Sequence, residues 1–169
     1  MKNEPQRVEH PFEPVWDKNC EIMILGSLPS VKSREVQFYY GHPKNRFWQV
    51  LAAVYDARVP VTTEEKKAFL LDHRIALWDV AASCEISASS DSSIKNVTVN
   101  DICPLIERNN IDRIFTNGAT ADKLYEKYIF PLTGIRSVKL PSTSPANAEW
   151  SAERLVKEWS SAIKRKGFE

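Results

Sequence analysis

The sequence lacks most of the features that announce a membrane, secreted or metal-bound protein. No apolar run approaches the ~20 residues that span a bilayer, and the N-terminus, with Lys2, Asn3, Glu4 and Arg7, has no apolar signal-peptide core. Cys20, Cys84 and Cys103 are odd in number and scattered. That pattern fits reduced thiols, and it argues against a disulfide framework, a zinc site or a four-cysteine iron–sulfur cluster. A charge excess is missing too: 23 Lys and Arg face 22 Asp and Glu, so bulk charge neither announces nor excludes a nucleic-acid partner. Neither the dinucleotide nor the P-loop glycine pattern occurs. No Gly-x-Ser-x-Gly elbow surrounds Ser30 or Ser144, which argues against a serine hydrolase built on either with His42. There are no repeats and no low-complexity tract. The expectation is a cytoplasmic protein without cofactor, metal or membrane partner, acting as a monomer.

What is present fits one domain over 1–169, with 43% hydrophobic and 27% charged residues. A chain of this length buries roughly 70% of its unfolded surface. Short apolar runs at 22–25, 75–80, 113–116 and 136–140 read as strands. Helical spacing of apolar residues marks 44–55, the stretch after Thr62, where a threonine can cap, and 100–108, 119–128 and 148–164. The serine-rich run 87–95 reads as a loop. Strands alternating with helices imply an α/β fold, a three-layer α/β/α sandwich around a four-stranded parallel sheet. In such sheets the ligand crevice lies beyond the carboxyl ends of the strands. Polar and turn residues gather there: Gly26, Ser27, Leu28, Pro29 and Ser30, then Asp79, then Asn117 and Gly118, then Pro141, Ser142, Thr143, Ser144 and Pro145.

The richest stretch is 26–48, GSLPSVKSREVQFYYGHPKNRFW. It joins a Gly/Ser/Pro turn, two tyrosines and a His-Pro-x-Asn corner to a helix opening on Phe47 and Trp48. These are parts from which a pocket for a flat polar ring can be built. Tyr39 and Tyr40 serve either as pocket walls or as packing residues, and Phe47 and Trp48 sit at helical spacing that suits a core. Asn45 serves either as a functional amide or as a cap for the helix that follows. Between Gly26 and Tyr55, Lys32, Arg34, Lys44 and Arg46 oppose only Glu35. A neutral chain can therefore carry a basic face. Asp91 reads as part of a solvated turn, and Lys164, Arg165 and Lys166 as cover for a helix end.

Gly26–Ser30, Tyr39, Tyr40, Gly41, His42, Pro43, Asn45, Phe47 and Trp48, together with Ser144, Pro145 and Ala146, resemble the uracil-DNA glycosylase superfamily. Within it they most resemble the hypoxanthine-DNA glycosylase branch, relatives of the mismatch-specific uracil/thymine glycosylases. The resemblance runs from about residue 21 to 159. It implies hydrolysis of the N-glycosidic bond of a deaminated base in DNA, with no metal. A base inside a duplex must be flipped out before it can be attacked. The resemblance makes Tyr40 the stacking partner of the flipped base and Asp79 the reader of its edge, against the plainer reading of a buried Asp satisfied by backbone amides. The backbone N–H groups of Ser27–Ser30 would hold the departing anion. Asn117 stands either in a turn or in contact with base or phosphate.

Two departures matter. Many relatives carry an Asp or Asn where this chain has Leu28, and a His or Asn where it has Leu140. Leucine can neither position water nor polarise a carbonyl, so His42 and Asn45 become the catalytic candidates, with Asn45 holding either a base edge or the attacking water. The segment Ser142–Pro145 would press on the DNA backbone, joined by Lys44 and Arg46. The absence of a lysine nucleophile in the motifs favours water over a Schiff base. The expected activity is that of a monofunctional deoxyinosine glycosylase, extending to uracil or xanthine. The alternative is a damaged-DNA reader that kept the fold and lost the chemistry.

Overall fold

The computed structural model describes residues 6–86 and 94–164. The Asp91 and Arg165–Lys166 expectations lie outside the described residues. Four strands, β2 (Ile22–Gly26), β3 (Ile75–Asp79), β6 (Arg113–Asn117) and β7 (Ser137–Leu140), form a sheet in the order β3-β2-β6-β7. Every neighbouring pair is parallel. The central β2, Ile-Met-Ile-Leu-Gly, is buried at all five positions, as a strand covered on both faces must be.

Side-chain alternation divides the core in two. Ile22, Ile24, Ile75, Leu77 and Phe115 pack on one face with α2 (Phe47–Val54), α3 (Thr63–Asp72) and α7 (Ala152–Lys164). Met23, Leu25, Ala76 and Ile114 point to the other, against Leu105 of α4 (Cys103–Arg108) and Tyr125 and Ile129 of the π turn that continues α5 (Ala119–Leu124). The short α6 (Phe130–Thr133) follows, ended by Gly134 in the left-handed conformation. The α/β/α sandwich is as expected. Thr62 caps α3 through a reciprocal pair, its hydroxyl accepting from Glu65 N–H while Glu65 accepts from Thr62 N–H.

Two elements differ from the sequence reading. A second sheet, antiparallel and ordered β1-β4-β5, is made of β1 (Gln6–Glu9), β4 (Ala81–Ile86) and β5 (Ile94–Val99), so the expected loop over 87–95 gives way to a strand from 94. A short helix α1 (Val31–Val36) interrupts the 26–48 stretch, capped by Ser30, whose Oγ accepts from Ser33 N–H. The helices expected over 100–108 and 148–164 begin later, at Cys103 and Ala152. Among the described residues no helix is long and apolar enough to cross a membrane.

Candidate active site

Because the four strands are parallel, Gly26, Asp79, Asn117 and Leu140 all end on the same side of the sheet, with Gly26 in register with Asp79 and Asn117 with Leu140. A cavity of about 140 Å³ opens there. Its lining includes Gly26–Ser30, Tyr40, Asn45, Asp79, Asn117 and Ser142–Ser144. The size is close to the ~150 Å³ that admits a benzene ring in an engineered apolar cavity. The segments thus converge as the sequence suggested, and what the structure adds is the direction in which each polar group faces.

Asp79 is held by a residue that the sequence reading passed over. His10 Nε2 lies 2.8 Å from Asp79 Oδ2, and both side chains are 4% exposed. The partner of this carboxylate is therefore a histidine rather than backbone amides. Its other oxygen rests on Gly26, where a Cβ would stand 2.3 Å from Asp79 Oδ1 and 2.8 Å from the Tyr40 hydroxyl. Glycine here is what lets the carboxylate and the phenol reach the cavity floor. His10 escaped notice because it sits just after the polar strand β1, and its contact with Asp79 spans 69 residues.

Tyr40 adopts the left-handed conformation, with φ of 52°, a cost of about 1–3 kcal/mol for a bulky residue. Its ring stacks on Phe47, with centroids 4.0 Å apart and planes 17° from parallel, so one face of the ring is already covered. Its hydroxyl is buried and makes no hydrogen bond of normal geometry among the described residues. Burial, reinforced by the Asp79 charge, pushes this phenol well above the usual tyrosine range. Tyr39 is a core residue, 1% exposed, its hydroxyl donating to Glu13 O at 2.9 Å.

Asn45 accepts from Phe47 N–H and from the Thr143 hydroxyl through Oδ1, both at 2.9 Å. A backbone N–H can only donate, so the amide orientation is fixed. Asn45 therefore does tie down the start of α2, and what remains for the cavity is its NH₂ group. Asn117 clasps Thr143 reciprocally: Oδ1 accepts from Thr143 N–H at 3.1 Å and Nδ2 donates to Thr143 Oγ1 at 3.0 Å.

Several residues expected on DNA or at the reacting centre are engaged elsewhere. Thr143 is fully buried, and besides its bonds to Asn45 and Asn117 its carbonyl accepts from Arg46 N–H at 3.1 Å. It is the hub of the site, not a phosphate contact. The Arg46 guanidinium donates to the carbonyls of Trp150, Ser144 and Asn147, clamping the 144–150 segment to the start of α2. His42 is exposed, lies outside the cavity lining, and accepts from Lys44 N–H through Nδ1 at 3.0 Å. It is thus the one catalytic candidate that the strand ends do not bring into the cavity. Lys32 pairs with Glu35 at 3.6 Å. Lys44 and Pro145 are exposed and adjoin the cavity-lining Asn45 and Ser144 in the chain, and Ser142 and Ser144 line the cavity. Leu28 lines it as well, whereas Leu140 is core, 1% exposed. Among the described residues no group of three or more His, Cys, Asp or Glu is arranged to hold a metal.

Comparison with known proteins finds similar chains over most of this one. Residues 14–164 match the sequence profile of the Uracil DNA glycosylase superfamily. A hypoxanthine DNA glycosylase of Methanosarcina acetivorans is 36% identical over 159 residues, covering 93% of this chain and 99% of the relative. That of Methanosarcina barkeri is 33% identical over 156 residues, covering 91% and 97%. The solution NMR structure of a candidate uracil DNA glycosylase from Methanosarcina acetivorans superposes with a TM-score of 0.79 at 36% identity, covering 94% of this chain and 96% of that one.

Proposed function

The chain belongs to the uracil DNA glycosylase superfamily, and from that premise we propose that it is a monofunctional glycosylase releasing hypoxanthine, and with it uracil or xanthine, from deaminated DNA. The observation that carries the reading is the ring-sized cavity at the sheet's carboxyl edge, which presents a buried acceptor, Asp79 Oδ1, and an oriented donor, the Asn45 NH₂.

A flipped base enters with its ring on the free face or edge of Tyr40, a contact of about 1–3 kcal/mol that offsets part of the cost of unstacking. The Asp79 carboxylate accepts the ring N–H that hypoxanthine and uracil share. As the glycosidic bond lengthens, negative charge builds on the departing base and positive charge on the sugar. Donors fixed in advance at the site of the growing anion stabilise that transition state more than the ground state. The Asn45 NH₂ and the backbone N–H groups of the Ser27–Ser30 turn fill this role. Asn45 cannot take a proton from water in this orientation, because its one acceptor is spent on Phe47 and Thr143. Of its two expected roles, holding the base is the one supported. Lys44, Ser144 and Pro145 contact the DNA backbone around the emptied site, a contact that weakens as salt rises.

The test is a panel of labelled oligonucleotides carrying hypoxanthine, uracil, xanthine or mismatched thymine, treated with excess protein and then alkali. Strand scission at hypoxanthine is expected, and no abasic site with any substrate would sink the enzyme reading. Leu28, apolar where a water-handling group is expected, is the observation behind the second reading, a non-catalytic reader of damage. Tight binding to the hypoxanthine strand without scission would assign that role.

A further inference from the structure

The atoms of the His10–Asp79 pair impose a rule on what the cavity accepts. His10 Nε2 faces Asp79 Oδ2 at 2.8 Å, while His10 Nδ1 is buried without a partner among the described residues. A carboxylate only accepts, so Nε2 carries the proton of this bond. Of the two neutral tautomers, one with its proton on Nδ1 would bury a donor with nothing to receive it and leave Nε2 with no proton to give Asp79. The ring itself is set by packing, edge-on to Phe12 at 4.7 Å and tilted to Tyr39 at 5.8 Å.

We propose that His10 is a positioning residue that fixes the hydrogen-bond polarity of the base pocket, holding Asp79 so that Oδ1 meets the base as an acceptor only. Deamination has one chemical signature common to adenine and cytosine: a bare ring nitrogen beside the amino group becomes an N–H beside a carbonyl. An acceptor held at that position attracts the deaminated ring and repels its amino parent, so the pair reads the deamination event itself. Guanine and thymine carry the same N–H and are not separated by this contact. The proposal rests on the glycosylase reading and on Asp79 as the edge reader.

The test compares release of hypoxanthine with release of unsubstituted purine, whose N1 is bare, as a ratio within each variant, so that differing fractions of active protein cancel. In Asp79→Asn the His10 N–H keeps the amide oxygen, the NH₂ turns to the base, and the hypoxanthine-to-purine ratio falls by ~10-fold or more. In the double variant His10→Phe with Asp79→Asn, the aromatic packing stays, the amide is free to turn its oxygen to the base, and the ratio recovers most of that loss. A purely structural histidine would make the double variant worse than the single one. A double variant no more selective than Asp79→Asn overturns the proposal. Wild-type inactivity on every substrate would instead fail the glycosylase reading, a separate result. Independently of any mutation, ¹⁵N imidazole shifts of the wild-type protein should show a proton on His10 Nε2, and an Nδ1–H tautomer with a bare Nε2 would overturn the assignment.

Discussion

Replacing Gly26 with alanine tests the pocket with one carbon atom. Gly26 lies outside the left-handed region, so its backbone tolerates a side chain and the effect is confined to what the new Cβ meets. It meets Asp79 Oδ1 at 2.3 Å and the Tyr40 hydroxyl at 2.8 Å. To reach an ordinary 3.4 Å contact the carboxylate must retreat by about 1 Å, and it cannot do so freely while His10 holds its other oxygen. A misplacement of about 1 Å at a reacting centre costs on the order of 10²-fold in rate. Overpacking of this kind costs about 1–3 kcal/mol of stability, or about 2–12 °C in Tm for a chain of this size. Gly26→Ala should therefore fold, melt a few degrees early and release hypoxanthine about a hundredfold more slowly in single turnover, with DNA binding largely kept. A near-normal single-turnover rate would mean that neither Asp79 nor Tyr40 touches the base, and the pocket assignment would fail.

Asn45→Asp keeps the oxygen that serves Phe47 and Thr143 but removes the NH₂ and adds a negative charge beside a developing anion. It should melt close to wild type and lose ~10²-fold or more in base release, whereas an active Asn45→Asp would reduce Asn45 to a helix tie. Arg46→Lys removes the planar fork that serves the carbonyls of Ser144, Asn147 and Trp150; a loss of about 1–3 kcal/mol is expected in denaturant melts, and a larger effect on salt-dependent DNA affinity than on stability would return Arg46 to the DNA face. Tyr40 sets an alkaline limit: its phenol is pushed up by burial and by Asp79, so its contribution to stability is complete below the unfolded value near ~10 and is lost as pH rises from there toward the folded value. Tyr40→Phe should flatten that alkaline limb in pH-dependent melts, and an unchanged limb would remove Tyr40 as its source.

The parallel sheet was legible because β2 and β3 are nearly continuous apolar runs buried on both faces and β6 is apolar at its centre, the pattern least open to confusion, with the edge strand β7 carrying a weaker signal. The antiparallel sheet was not. β4 follows β3 with only Val80 between them, so the two read as one strand with an irregular tail, while β1 is the polar stretch Gln-Arg-Val-Glu and β5 interleaves Lys, Asn and Thr. The positions of the site were legible for a topological reason, since the residues following parallel strands must converge. Their chemistry was less so, because hydrogen-bond direction is set by partners far along the chain: Thr143 to Asn45 across 98 residues, His10 to Asp79 across 69. Arg46 illustrates the same limit. A guanidinium beside a functional loop reads as a phosphate ligand until the carbonyls of Ser144, Asn147 and Trp150 are seen to occupy it.

The two leucines then take on a consistent meaning. With Leu28 lining the cavity and Leu140 in the core, the two positions where the family resemblance leads one to expect a water-handling or carbonyl-polarising group carry apolar side chains. Three of the polar side chains are each held by a neighbour: Asp79 by His10, Asn117 by Thr143, Asn45 by Phe47 and Thr143. Such a pocket is built to hold a leaving base, with donors that need no reorganisation as charge appears. In the proposed reaction departure of the base therefore leads and attack follows, because a sugar that has already gained positive charge can capture water that no carboxylate activates. The same rigidity explains the weight placed on Gly26: with Asp79 held by His10 and Asn45 by Phe47 and Thr143, the available adjustment is the space beside that Cα.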